Sequence, residues 1–555
     1  MQPSSHTAAR LNQPALQNQL PVVAHDEIVS RDPATNQELG RVPVFTQPEI
    51  ESMIARARSA QTAWAAKSFD ERARIILRAR QIVLDEMDAI AMLIARESGK
   101  PFAESVSMEI IPTLDLMSFF ARHAARILKS ERIALGQYTF AGRTSHIIYK
   151  PLGVIAIIAP WNFPWAIPLG EVVMALMAGN SVVLKPSELT SLVGLKIKDV
   201  FTRAGLPDDL LQVATGDGMT GAALAASPSV NKIMFTGSVA TGKRVAAAAA
   251  QNLTPIVLEL GGKDPMIVCR DADLPVAAHA AVWGAFANSG QACASVERCY
   301  VHESVAVEFT NLVVEATKNL RQHHGTNEAS DVAAMSSERQ AQIVDSHIHD
   351  ALTRGARILT GGKRNHDFAT SHDDTHHADA HTNLFYEPTI LVDVDDAMLV
   401  MHEETFGPVL PIKTFRTEDE AVTLANDSPF GLTASVWTRD LKRGARLAAT
   451  IDAGTVTINE VLYTHGLAAT PWGGIKQSGI GRTHGKQGLL ELVYPQHIHT
   501  NRLPRFADLW WFNYTPSAHT LFRQLARRAT NGSILQSALA FPAVVRRFLE
   551  MRRRK

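Results

Sequence analysis

A chain of 555 residues, 46% apolar and 20% charged, has the make-up of a folded globular protein with a large core and room for two or more domains. Its 55 Lys and Arg balance 55 Asp and Glu, so no global basic field argues for a nucleic-acid partner. Only three cysteines, Cys269, Cys293 and Cys299, are present, which excludes a disulfide framework.

In chain order, residues 1–25 are rich in Gln, Ser, Pro and Asn, and without a basic start or an apolar stretch of signal-peptide length they read as a disordered arm. No stretch reaches the roughly 18 to 20 uninterrupted apolar residues of a membrane span, so a cytoplasmic protein with reduced thiols is expected. From Gln47 to about Leu128, apolar residues recur at three- and four-residue spacing, which predicts amphipathic helices, with Gly99 and Pro101 closing the first run. Short apolar bursts ending in Gly, Pro or Ser follow: "GVIAIIAP", "NSVVLKPS", "LQVATG", "NKIMFTGS" and "PIVLELGG". Helix-length segments separate them, so the expected fold is α/β with a Rossmann-like, doubly wound parallel sheet that binds ligands at the carboxyl ends of its strands. After Gly262 the helix and strand signals begin again over about 200 residues, predicting a second α/β domain with Cys293 near its start and the site in the crevice between the two.

The residues with chemistry sit at strand ends. In "FTGSVATG", Gly237 and Gly242 open a helix whose positive end could face a pyrophosphate; an ordinary strand-to-helix turn is the other reading. In "KPSELT", Lys185 and Glu188 place an ammonium and a carboxylate where both can bond ribose hydroxyls, and the carboxylate would repel a 2′-phosphate, favouring NAD over NADP. "NSGQACAS" sets Cys293 among small residues, accessible for attack on a carbonyl. The oxyanion formed there needs donors, which the Cys293 backbone N–H and the Asn162 amide of "PWNFP" could supply, although Asn162 also reads as a turn residue. Breaking a thioester with water needs a base, and Glu259 in "LELGG" ends an apolar strand where desolvation should raise its pKa; the alternative is a buried ion pair with Lys263. Cys269 and Cys299 read as core, with a vicinal redox role for Cys299 as the alternative.

"PWNFP", "KPSELT", "FTGS", "LELGGKDP", "GQACAS", "EETFGPVLP" and "SGIGR" occur in the order and approximate spacing of the aldehyde dehydrogenase superfamily, and the resemblance covers roughly residues 27 to 500. It implies Cys293 as the catalytic thiol, Glu259 as general base, Asn162 as oxyanion donor and Lys185 as a contact to cofactor and active-site network. It further implies Ser238 at the pyrophosphate with Gly237 and Gly242, Glu188 at the adenine ribose, Glu404 at the nicotinamide ribose, and Phe406 and Trp161 beside the cofactor. The implied reaction runs from aldehyde through a thiohemiacetal and a thioester to the free acid, since relatives that acylate coenzyme A generally do without the base. The cofactor is expected to be NAD, with NADP as the alternative, and no metal is expected. Finer motifs, "KQSGIGRTHGKQGL" and "KDPMIVCRDADL", look most like the carotenoid dialdehyde dehydrogenase branch. The implied domains are a dinucleotide-binding domain (26–130 and 152–258), a catalytic domain (259–475) and a bridging element (131–151 and 476–500) that pairs subunits into a homodimer or homotetramer.

Two regions fall outside the resemblance. Residues 365–381 hold His366, His372, His376, His377 and His381 with several aspartates, and read as a solvated insertion or a metal-binding tract. The extension 501–555 carries eleven Lys or Arg from Arg502 onward against Asp508 and Glu550, with Trp510, Trp511, Phe512 and Tyr514. It suits an anionic membrane headgroup region at the inner face, or packing on a neighbouring subunit. A long apolar aldehyde is the expected substrate; a short polar semialdehyde, or a catalytically idle structural or membrane-bound protein, are the alternatives.

Overall fold

The computed structural model describes residues 26–135, 142–365, 382–503, 508–512, 514–531 and 534–552. The amino-terminal arm and the five histidines of the insertion lie outside these residues. The chain forms two units, one of residues up to 127 together with 151–493, the other of 128–150 with 494 onward.

The larger unit contains the two expected α/β sheets. The first runs in the order Gly479–Ile480, Ile256–Glu259, Lys232–Thr236, Val154–Ile158, Ser181–Lys185, Leu211–Val213. All its neighbours are parallel except the short first strand. The chain enters the sheet at Val154–Ile158 and builds outward to both sides, so the strand order reverses between Val154–Ile158 and Lys232–Thr236. Ligand crevices form at the carboxyl ends beside such a reversal. Register aligns those ends: Ile158 lies opposite both Lys185 and Phe235, and Thr236 opposite Glu259. Val154–Ile158 and Ser181–Lys185 are buried throughout, as strands covered by helices on both faces must be. One of those helices, Ala166–Met177, is buried at every position, and accordingly it is apolar all round except for Glu171.

The second sheet has seven strands, Arg357–Thr360, Thr389–Val392, Val409–Phe415, Val296–His302, Asp264–Val268, Thr433–Trp437 and Thr455–Ile458, again parallel after its antiparallel edge. The expected helical run resolves into Gln47–Ala65, Phe69–Asp85, Met87–Ser98 and Ile111–Ile127. Thr46 and Ser68 supply capping boxes with Glu49 and Glu71, and Gly99 closes the third helix at φ +87°. A π-helical turn, Ser105–Ile110, interrupts the approach to the fourth and was not legible in the periodicity.

In the smaller unit, Glu131–Ile133, Arg143–Pro151 and Val493–Asn501 form a three-stranded sheet, followed by helices Pro516–Asn531 and Ile534–Arg552. Residues 476–493, expected with this bridging element, lie with the larger unit instead, because Gly479 and Ile480 pair with Glu259 and Leu258 on the edge of the first sheet. Among the described residues no helix is long and apolar enough to cross a membrane.

Candidate active site

Cys293 stands on a braced loop. Asn288, Ser289 and Gly290 take three consecutive left-handed conformations, φ 51°, 55° and 73°. Such strain persists only where neighbours over-determine it. Here the Asn288 N–H donates to Glu104 Oε2 at 2.8 Å, its amide Nδ2 donates to the carbonyls of Asn162 and Gln291 at 3.0 Å each, and Ser289 Oγ donates to the Ala333 carbonyl at 2.8 Å. A Cβ at Gly290 would lie 2.2 Å from the Gly407 carbonyl oxygen, so only glycine fits. Cys293 itself is half-buried between buried Ala292 and Ala294, packed on the apolar cluster of Ala294, Leu432 and Trp472. Burial pushes its thiol up, and the carboxylates of Asp264, Glu404 and Glu259 push it further, so the resting sulfur is protonated. Cys269 and Cys299 are buried in the two cores that flank the second sheet, which accounts for both as packing.

Asn162 is buried in the loop that follows Val154–Ile158, and its Nδ2 donates to the Gln291 carbonyl at 3.1 Å, two residues before Cys293. Glu259 ends its strand with both carboxyl oxygens buried and without a hydrogen-bond partner. Burial raises its pKa well above the ordinary carboxylate range; Glu171 raises it further, and Arg482 opposes both. Glu171 likewise has a buried oxygen without a partner, and burial pushes it up to about 8. The ion pair between Glu259 and Lys263 does not form. Lys263 Nζ donates instead to Glu297 Oε2 at 2.6 Å and to Thr405 Oγ1 at 3.2 Å, which leaves Glu259 outside that ion pair.

Glu297 was missed by sequence reasoning, and it organises the opposite wall. Its two oxygens accept from the Thr405 and Phe406 N–H groups at 2.8 Å each, fixing Phe406 at φ +50° with its ring edge-on to Trp161, centroids 5.5 Å apart. Glu404 Oε1 accepts from the Gly262 N–H at 2.9 Å, and a Cβ on Gly261 would lie 2.2 Å from Glu404 Oε2. The double glycine of "LELGG" therefore admits the Glu404 carboxylate beside the backbone.

At the reversal edge of the first sheet, Lys185 Nζ donates to Glu188 Oε2 at 3.2 Å, the lysine buried and the carboxylate side chain about half exposed. Ser238 caps the twelve-residue helix Val239–Ala250. The amides of Gly237 and Gly242 are already engaged, donating to the Glu259 and Ser238 carbonyls at 3.0 and 2.8 Å, so the Ser238 hydroxyl and the helix start carry any phosphate contact. A dinucleotide fits this donor set: a cation and a carboxylate for ribose hydroxyls, a helix N-terminus for phosphate, and Glu404 with the Trp161–Phe406 pair further along. Among the described residues no cluster of three or more His, Cys, Asp or Glu could hold a metal.

The aldehyde dehydrogenase family model matches residues 22–498. The 4,4'-diapolycopene aldehyde oxidase of Methylomonas sp is 39% identical over 89% of this chain and 90% of its own length. A putative succinate-semialdehyde dehydrogenase (NADP+) 2 of Mycobacterium bovis is 37% identical over 89% and 94%. Among solved structures, the NAD-dependent aldehyde dehydrogenase of Sinorhizobium meliloti is 34% identical with TM-score 0.81, covering 88% of this chain and 93% of its own. Betaine aldehyde dehydrogenase of Staphylococcus aureus, in complex with NAD+, is 31% identical with TM-score 0.81 over 88% and 94%. Family model, curated relatives and solved structures agree over nearly the same span, and the chain belongs to the aldehyde dehydrogenase family, whose oxidation of aldehydes to acids with a nicotinamide cofactor it shares.

Proposed function

We propose that this enzyme oxidises an apolar, long-chain aldehyde, with NAD as its preferred cofactor and Cys293, Asn162 and Glu259 in the roles of nucleophile, oxyanion donor and base. The observation that carries the assignment is a buried carboxylate at Glu259 with no hydrogen bond to either oxygen and only the charge of Arg482 to offset its burial, close enough to raise the Cys293 pKa. The Cys293 sulfur gives its proton to solvent water and bonds the aldehyde carbon; the former carbonyl oxygen takes the negative charge and receives hydrogen bonds from Asn162 Nδ2 and the Cys293 N–H. Nicotinamide, when bound, supplies the hydride acceptor that leaves a thioester on Cys293. Glu259 then removes a proton from water, whose oxygen bonds the thioester carbon as the carbon–sulfur bond breaks and the acid departs. Lys185, Glu188, Ser238 and Glu404 would hold the dinucleotide.

The substrate reading is supported by the wall around Cys293. Leu432, Leu462 and Trp472 are apolar, and His465, which packs edge-on to Trp472, and His484 behind it are disfavoured as cations by burial, His465 down to about 4 and His484 well below its ordinary value. A diapolycopene aldehyde, named for one relative, is a long polyene, whereas the succinate semialdehyde named for another carries a carboxylate that would need a cation in this wall. Initial rates of NADH formation across aldehydes from short semialdehydes to long apolar chains, with Cys293→Ala as blank, decide between them. Rates rising with chain length are expected; a maximum at a short semialdehyde would overturn the apolar reading.

A second observation concerns the extension. Trp511 is 57% exposed, Phe512 82% and Phe541 66%, and Val545 and Leu549 continue the Phe541 face at four-residue spacing. Both of its acids are consumed internally, Asp508 by Arg143 and Glu550 by Thr515, Ser517 and Arg547, so the outward charge is positive. This combination suits peripheral docking to an anionic membrane at the cytoplasmic face. Equal co-sedimentation with anionic vesicles of the full chain and a chain ending at Thr500 would refute it. The three-stranded sheet, with Glu131–Ile133 exposed at its edge, is the surface for a homo-oligomer, read by light scattering in solution.

A further inference from the structure

We propose that the buried ion pair of Lys100 and Glu109 is the positioning device for Asn162, holding the backbone that aims the oxyanion-donating amide. Lys100 and Glu109 have fully buried side chains, with Lys100 Nζ donating to Glu109 Oε1 at 2.6 Å. Such a pair is costly to desolvate and is justified by what else it bonds. Lys100 Nζ also donates to the Asn162 carbonyl at 2.7 Å and lies 4.0 Å from the centroid of the Phe163 ring. Glu109 Oε2 accepts from the N–H groups of Trp165 at 2.8 Å and Ala166 at 3.0 Å. Helix Ala166–Met177 has no side-chain cap of its own, since Trp165 occupies the capping position, and the Glu109 carboxylate serves the orphan amides there with charge of the favourable sign. Four of the five residues from Asn162 to Ala166 are thereby fixed by two side chains.

The same network reaches the nucleophile. The Asn162 carbonyl accepts from Lys100 on one side and from Asn288 Nδ2 on the other, and Asn288 belongs to the strained loop before Cys293. Glu104, one turn before Glu109, accepts from the Asn288 N–H. The π-helical turn Ser105–Ile110 carries Glu109 itself, and π-turns recur where a side chain must be re-aimed at a site. Lys100 and Glu109 touch no reacting atom in this arrangement; they act through Asn162.

The proposal rests on the reading of Asn162 as oxyanion donor, and a double-mutant cycle separates the two. Asn162→Ala should lower kcat by about 100- to 1000-fold. Lys100→Met should lower kcat about 10- to 100-fold with KM changed less than about threefold, because a displacement near 1 Å is felt in the transition state more than in binding. On the Asn162→Ala background, Lys100→Met should cost less than about threefold, the signature of two changes acting through one group. Full additivity would overturn the proposal while leaving Asn162 as donor; an Asn162→Ala enzyme with undiminished kcat would overturn both. Should Lys100→Met fail to fold, the neutral pair Lys100→Met with Glu109→Gln removes the lone buried charge. Its thermal midpoint should recover while kcat stays low; recovery of kcat along with the midpoint would reduce the pair to charge balance and refute the positioning role.

Discussion

Replacing Glu171 by Met tests the electrostatics of the site at a buried carboxyl with an unpartnered oxygen. Glu171 is the one ionisable group on a helix buried at every position, one of its oxygens has no partner, and burial lifts its pKa from the ordinary 4.5 to about 8. A carboxyl raised in the folded state holds a proton that the unfolded chain gives up, so its contribution to stability falls as pH rises from about 4.5 and keeps falling until the folded group ionises near 8. At about 1.4 kcal/mol per pH unit, the cost reaches about 3 kcal/mol at pH 7. Met abolishes this titration, so the difference in stability between variant and parent should grow in the variant's favour from pH 5 to pH 8. Spread over a chain of this length, about 3 kcal/mol corresponds to about 3 °C in thermal midpoint. Differential scanning calorimetry of both proteins at half-unit steps from pH 5 to 8.5 measures it, the difference between the two curves cancelling the other groups that titrate. The same change removes the neighbour that pushes Glu259 up, so the acid limb of the hydrolytic step should move to lower pH. Midpoints that run parallel across the range would refute the reasoning, since they would mean that Glu171 titrates alike in the folded and unfolded chain.

Glu259→Gln should slow thioester hydrolysis by about 100- to 10,000-fold while leaving the first turnover, so that a stoichiometric burst of NADH is followed by a stall and the acyl group is found on Cys293 by mass spectrometry. Replacing Glu188 by Ala removes the carboxylate bonded to Lys185, and the ratio of kcat/KM for NADP over NAD should rise by about tenfold or more; an unchanged ratio would dissociate Glu188 from the ribose. Alkylation of the resting enzyme by iodoacetamide should fall on Cys293 alone and accelerate with pH beyond the range of an ordinary thiol, because burial and three carboxylates disfavour the thiolate, whereas Cys269 and Cys299 stay unmodified until the protein unfolds.

What the sequence carried, and what it did not, divides along a physical line. Strands buried at nearly every residue are written as largely apolar runs, and their carboxyl ends are punctuated by Gly, Pro and Ser, so Val154–Ile158 through Ile256–Glu259 and the residues at their ends were legible together. A cysteine flanked by alanines after a glycine carries its accessibility in its neighbours. Partnership between charges separated by tens of residues has no such local mark. Lys263 lies four residues from Glu259 yet bonds Glu297, 34 residues away, because past Gly261 and Gly262 the chain leaves the first sheet and enters a second where Asp264 aligns with Val296. Glu109 read as one more polar position of an amphipathic helix, since a π-turn shifts a side chain around the helix without altering the composition that periodicity measures. The choice of partner for Lys263 decides the chemistry: had Lys263 neutralised Glu259, the carboxylate would titrate low and hold water poorly as a base. By giving Lys263 to Glu297, the fold spends that cation on fixing the loop of Thr405 and Phe406 and leaves Glu259 desolvated, with no hydrogen bond and only the charge of Arg482 opposing its raised pKa, which is the condition a general base near neutral pH requires.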